Sequence, residues 1–155
     1  CTGDYTIFSS SNSLSAQPPG ITSPYLSVPN PNRAGSASLM LGTTANYFGL
    51  YWGSIDTYNT LSFLLDGVVV DAFTGTEIAT YIPGTANGNQ TAASSNRYFN
   101  FFFGGQSFDE VQLDSQGFAF ETDNHAFATV SEPGTLALMA LGITGLVIAR
   151  RRKKA

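Results

Sequence analysis

Between residues 36 and 130 apolar and polar positions alternate in short runs broken by Gly, Asn, Asp and Ser, which is the pattern of half-buried β-strands. The runs are SASLMLG (36–42), NYFGLYWG (46–53), TLSFLLDGVVVDAF (60–73), EIATYI (77–82), RYFNFFFGG (97–105), SFDEVQLD (107–114), GFAFET (117–122) and HAFATV (125–130). Asp66-Gly67 separates two apolar runs and predicts a hairpin with a type I′ turn, because both central positions of that turn need φ > 0. Period two puts Phe48, Leu50 and Trp52 on one face and Tyr47, Gly49 and Tyr51 on the other. Trp52 is expected in the core. Likewise Phe99, Phe101 and Phe103 should be buried while Tyr98, Asn100 and Phe102 face outward. Val111 and Leu113 form an inward pair, and Phe118 and Phe120 share a face.

Before these runs, residues 1–37 are rich in Pro, Ser and Asn. Pro18, Pro19, Pro24, Pro29 and Pro31 forbid a helix and interrupt any ladder of backbone donors. An extended lead-in is expected here, with a short edge strand near Thr22–Val28. Residues 82–96 read as a long polar loop. The expected fold is all-β: eight or nine short strands in an antiparallel β-sandwich, jelly-roll-like, over residues 38–130.

Composition and charge narrow the function. The chain has 155 residues, 12% of them charged, with a formal net charge of −4. That figure conceals an asymmetry, because Arg150, Arg151, Arg152, Lys153 and Lys154 are five of the seven basic residues. Up to residue 132 only Arg33 and Arg97 oppose eleven acids, a net of −9. A domain so poor in cations is not expected to hold a nucleic-acid backbone, whose affinity comes from Lys and Arg neutralising phosphates. Cys1 is the one cysteine, so no internal disulfide forms.

The last 25 residues carry a different message. From Gly134 to Ala149 no residue is charged, and five cations follow. As a helix, 134–149 rises about 24 Å, somewhat short of the roughly 30 Å hydrocarbon core. Snorkelling arginines make up the deficit. The basic run stays cytoplasmic, so the C-terminus is expected inside and the acidic domain outside the inner membrane. An exported domain needs a leader, which is expected upstream of Cys1. Ser131-Glu132-Pro133 precedes the span, and the proline keeps the residue before it extended and accessible to an enzyme.

This order of motif, marginal span and basic end resembles the PEP-CTERM sorting signal of diderm bacteria. Glu132, Pro133, Gly134 and Arg150–Arg152 match it, and Ser131 stands where the family's first proline stands. The resemblance implies an exosortase-type membrane peptidase as partner, transient or anchored residence in the inner membrane, and a mature domain at the cell surface or in an extracellular matrix, in company with extracellular polysaccharide. FGLYWGSIDTYNTLSFLLDG and RYFNFFF…FDEVQLDSQGFAFETDN (within 46–127) are similar to a group of exosortase-dependent surface proteins, which adds location and fold but no chemistry. The alternative is an uncleaved single-pass adhesin or carbohydrate-binding protein.

Candidate chemistry in the domain is sparse. No nucleophile-elbow motif accompanies the single histidine, His125, which is expected in the core or at its rim, and no enzymatic activity is expected. Glu121 and Asp123, with Asn124 beside them, offer hard oxygens suited to calcium, the one cofactor considered; the alternative is a solvated strand edge with an ordinary turn. Tyr47, Tyr51, Tyr58 and Asn59 supply the aromatic and amide groups of a glycan contact. Asn89-Gln90-Thr91 matches a glycosylation sequon and is read as a coincidence.

Overall fold

The computed structural model describes residues 1–131; the span 134–149, the basic run 150–154 and Glu132 to Gly134 of the sorting motif lie outside the described residues. In chain order the elements are β1 (Thr2–Gly3), β2 (Thr6–Phe8), β3 (Tyr25–Val28), β4 (Gly35–Ala45), β5 (Tyr47–Gly53), β6 (Asn59–Leu65), β7 (Val68–Thr74), α1 (Gly75–Tyr81), β8 (Arg97–Phe102), β9 (Phe108–Ser115) and β10 (Phe120–Ala128). The strands form two five-stranded antiparallel sheets, β1-β4-β9-β6-β7 and β2-β3-β10-β5-β8. Together they are the two layers of a β-sandwich.

The pattern of alternation becomes the core. Phe48, Leu50 and Trp52 of the second sheet are at most 1% exposed, as are Leu61, Phe63, Val111 and Leu113 of the first. Phe63 is the hub: the rings of Phe48, Phe73, Phe101, Phe103 and Phe108 lie 4.6–6.1 Å from its centroid. Burying each such ring contributes about 1.5–3 kcal/mol, and tilted or edge-on pairing adds to that. Phe108 is fully buried although it shares parity with Glu110. The ladder between β4 and β9 is irregular opposite it, between Met40 and Ala45. The β6–β7 hairpin closes as its sequence requires, with φ of 51° at Asp66 and 76° at Gly67.

Three expectations are corrected. Residues 1–37 do not precede the sandwich but enter it: β1 pairs with β4, while β2 and β3 join β10. YLSV lies between Pro24 and Pro29, so its own donors are intact. β3 is an interior strand rather than an edge, with Tyr25, Leu26 and Val28 buried. EIATYI is a helical segment rather than a strand. Thr74 and Glu77 form a capping box, the Thr74 hydroxyl accepting from the Glu77 N–H over 3.1 Å and the Glu77 carboxylate from the Thr74 N–H over 2.8 Å. Ile78 is the one large side chain that this helix buries. Finally, GFAFET and HAFATV supply a single strand, β10, which starts at Phe120; the Asp123-Asn124 turn is a bulge within it, with Asn124 at φ 54°.

Candidate functional site

Three regions carry polar or aromatic side chains whose placement goes beyond packing. The first is a cleft of about 300 Å³ at one end of the sandwich, walled by Asn12 to Ser15, the β5–β6 connection, Asn87-Gly88 and the residues leading into β10. At its base Glu121 is 2% exposed. Its position opposite Gly53 and Ser27 turns it to the outer side of the second sheet, away from the core. There the segment 10–23 covers it. The Ala16 N–H donates to Oε1 over 2.9 Å and the Ser54 hydroxyl donates to Oε2. Burial outweighs these donors and, helped by the negative charge of Asp56, pushes the Glu121 carboxyl up to about 7.

Asp56 lines the same cleft, and burial raises its carboxyl too. The Tyr58 hydroxyl donates to Asp56 Oδ2 over 2.7 Å and lies 2.8 Å from the Phe118 carbonyl oxygen. One phenolic proton serves one acceptor at a time. Burial and the neighbouring Asp56 raise the Tyr58 pKa. Ser15 is 4% exposed and lines the cleft, and its hydroxyl, shut off from solvent, lies beside the Tyr25 phenol.

The second region is the outer face of β5 and β8. Register pairs Tyr47 with Phe102, Gly49 with Asn100 and Tyr51 with Tyr98. Phe102 is 70% and Tyr98 39% exposed. Tyr47 and Phe102 have ring centroids 5.0 Å apart, and the Tyr47 hydroxyl donates to Asn100 Oδ1 over 2.8 Å. Gly49 lies beneath them: a Cβ there would collide with the Tyr98 hydroxyl and stand 2.6 Å from Tyr47 Oη. The two phenols therefore converge over a bare backbone, with Ala126 and Ala128 of β10 opposite Gly49 and Tyr47. Burial and the Tyr47 hydroxyl raise the Tyr98 pKa.

The third region is the exit of the chain. Asn46 clamps it: Nδ2 donates to the Val130 carbonyl over 2.8 Å and to Gly104 over 3.1 Å, and Oδ1 accepts from the Val130 N–H over 2.6 Å. Thr129 Oγ1 donates to the Thr44 carbonyl over 2.9 Å. The backbone is thus tied to the sandwich up to Val130, and Ser131 is exposed.

The expected glycan set is not brought together. Tyr47 lies on the open face, and Tyr51 beside it is covered, its hydroxyl donating to the Pro19 carbonyl over 3.1 Å. Tyr58 is in the cleft. Asn59 is fully buried, where its amide donates to the Ala119 carbonyl and accepts from the Asp56 N–H. The expected calcium trio is also split. Asp123 accepts from the Ser23 hydroxyl over 2.5 Å, and Asn124 is exposed. Among the described residues no three His, Cys, Asp or Glu gather as a metal centre. His125 stacks on Phe48 at 6.0 Å, and its Nε2 lies 3.0 Å from the buried Thr122 hydroxyl while one edge stays in solvent. Loss of water on the packed side lowers its pKa. Asn89 serves its own turn, Oδ1 accepting from the Thr91 and Ala92 N–H groups. Tyr98, Asn100 and Phe102 were legible as an outward row. Ser15, Ser54 and Asp56 carried no signal, being far from Glu121 in the chain.

Residues 129–153 match the family model described as the PEP-CTERM protein-sorting motif. A solved structure described as "CpGH89CBM32-6 produced by Clostridium perfringens" is similar at a TM-score of 0.43 and 10% identity, over 83% of this chain and 94% of that one. No curated protein matches.

Proposed function

We propose that this exported protein, which carries a PEP-CTERM sorting motif and is a substrate of an exosortase-type system, works outside the cell by binding a neutral extracellular polysaccharide and not by catalysis. The observation that carries the reading is the row Tyr47–Asn100–Tyr98–Phe102 on the outer face of β5 and β8, with Tyr47 half-buried and the other three exposed. Aromatic faces pack against the apolar C–H faces of sugar rings, and each burial of this kind is worth about 1–2 kcal/mol. Asn100 and the Tyr hydroxyls supply the polar groups that orient a sugar. With two cations against eleven acids up to residue 132, the domain repels anionic polymers, which favours a neutral one. Before processing, the C-terminus lies in the cytoplasm and the tail in the inner membrane, with the domain on the far side.

The test is retention of the full-length chain on neutral polysaccharides in affinity electrophoresis. Tyr98→Ala with Phe102→Ala is expected to lower affinity at least about tenfold. Retention equal to that of the unmodified chain removes this face as the binding site. An uncleaved adhesin is distinguished by the mass of the protein from native cells, since processing removes the RRRKKA terminus.

A further inference from the structure

We propose that the end of the sandwich from which the chain exits is a membrane-docking surface. While the tail resides in the inner membrane, the exposed apolar side chains of this end lie among the headgroups of the bilayer, in contact with neutral lipid. The inference rests on the tail's proposed residence in that membrane and is independent of polysaccharide binding.

Register gathers the ends of five strands here. Ala45 closes β4 opposite Phe108, which opens β9. Tyr47 opens β5 between Phe102, the last residue of β8, and Ala128, the last of β10. The β6–β7 turn joins them: Leu64 lies opposite Glu110, two residues along from Phe108, and Val69 lies opposite Leu64. Leaving aside Tyr98 and Phe102 of the aromatic row, eight large apolar side chains are exposed among the described residues. Five belong to this end, namely Met40, Val68, Val69, Phe127 and Val130, each 45–68% exposed. The other three, Ile7, Leu14 and Tyr81, are scattered over β2, the cleft wall and α1. Single exposed apolar side chains need no explanation, but a group gathered at one place marks a contact surface.

The tether identifies what the surface meets. Thr44 and Asn46 hold the backbone as far as Val130, and the uncharged run begins at Gly134. Residues 131–133 span at most about 10 Å in any arrangement. That is less than half the roughly 24 Å length of a seven-residue strand such as β5. The far end, with the cleft and α1, therefore cannot turn to the bilayer, and the exit end faces it. The charged side chains along this end are acids, Asp66, Asp109 and Glu110. The two basic side chains of the described residues lie at the other end, Arg97 opposite Trp52 and Arg33 just before the Gly35–Ser115 pair. The contact is accordingly apolar burial at headgroup level and not attraction to anionic lipid.

The experiment places a single environment-sensitive fluorophore on the full-length chain reconstituted in phosphatidylcholine vesicles. Cys1→Ser removes the native thiol, and Val68→Cys or Tyr81→Cys supplies the labelling site. Lipid-borne nitroxide is expected to quench the Val68 label at least about threefold more than the Tyr81 label. Val69→Asp puts a charge into the patch at an exposed position, where substitutions cost the fold little. It is expected to cut quenching at Val68 at least about twofold with Tm unchanged. Equal quenching at the two sites overturns the proposal. So does quenching at Val68 that Val69→Asp leaves undiminished, because the tether alone then brings the label close. Alkaline extraction of the same vesicles separates the failures: a chain that stays in the membrane with an unquenched Val68 label refutes docking alone, whereas a chain that washes off refutes docking and the tail's membrane residence together.

Discussion

The backbone N–H of Ala16 donates to the carboxylate of Glu121 over 2.9 Å although 105 residues separate them. Pro18 follows, packed on Gly53 so closely that a Cβ there would stand 2.7 Å from the proline ring. This contact holds the proline-rich N-terminal segment on the second sheet and shuts water away from a carboxyl group. Its consequences are open to titration.

The fold should lose stability as pH rises from about 4.5 to about 7. The unfolded chain ionises Glu121 at its ordinary value of 4.5, whereas the folded chain ionises it at about 7. Between those values the unfolded state binds fewer protons, so raising the pH favours unfolding, by on the order of 3 kcal/mol in all. Asp56, whose carboxyl is also raised, adds in the same direction. Urea titrations across this range measure the slope, and Glu121→Gln should flatten it. A stability that climbs with pH over this window would refute the assignment.

Trp52 lies flat on Phe120, with centroids 4.4 Å apart and planes 9° from parallel, joining β5 to β10. Trp52→Ala should cost about 3–5 kcal/mol, the usual range for emptying an aromatic site. Trp52→Phe should cost clearly less, because the buried indole N–H has no acceptor and its removal relieves an unmet polar group. Denaturant unfolding of the two variants checks the order.

The helix α1 depends on its first two positions. Thr74→Ala removes the capping box and should cost about 1 kcal/mol. Gly75→Ala should cost more, about 2 kcal/mol or above, because its Cβ would overlap the Asp56 carbonyl oxygen, a backbone atom with no freedom to retreat. Thermal melts of both variants decide the ranking.

Asn46 determines how the chain leaves the domain. Asn46→Ala deletes the paired bonds to Val130. It should cost about 1–2 kcal/mol and expose the Val130 amide. Hydrogen exchange at that amide is expected to rise at least about tenfold; unchanged protection there would show that the strand end is held by other contacts.

Phe102→Ala should shift stability by less than about 0.5 kcal/mol, since the ring is 70% exposed. Measured beside polysaccharide retention, this separates loss of a contact from loss of the fold.

Much of the fold was legible because a strand exposes its two faces at alternate residues. Val111 and Leu113, Trp52, and the inward Phe99 and Phe101 followed from parity, and Asp66-Gly67 announced its turn through the φ > 0 that it needs. Thr74 and Glu77 stand in the T-x-x-E spacing that caps α1, yet the Ile, Thr and Tyr of EIATYI read as a strand. The sorting tail was readable for a different reason: an uncharged run ending in cations acts through composition and length, independent of neighbours.

The destiny of Tyr25–Val28 and of Glu121 was another matter. Prolines around YLSV suggested a loose lead-in, yet the run between them had intact donors and a strand edge waiting on β10. Glu121, Asp123 and Asn124 are adjacent in the chain, and a bulge and two different partners separate them in space. Local periodicity and charge order determined the β-sandwich and its export label, because those depend on near neighbours along the chain. Which acids share a cleft was decided only when residues a hundred positions apart were packed together, because burial and hydrogen bonding depend on distance through space.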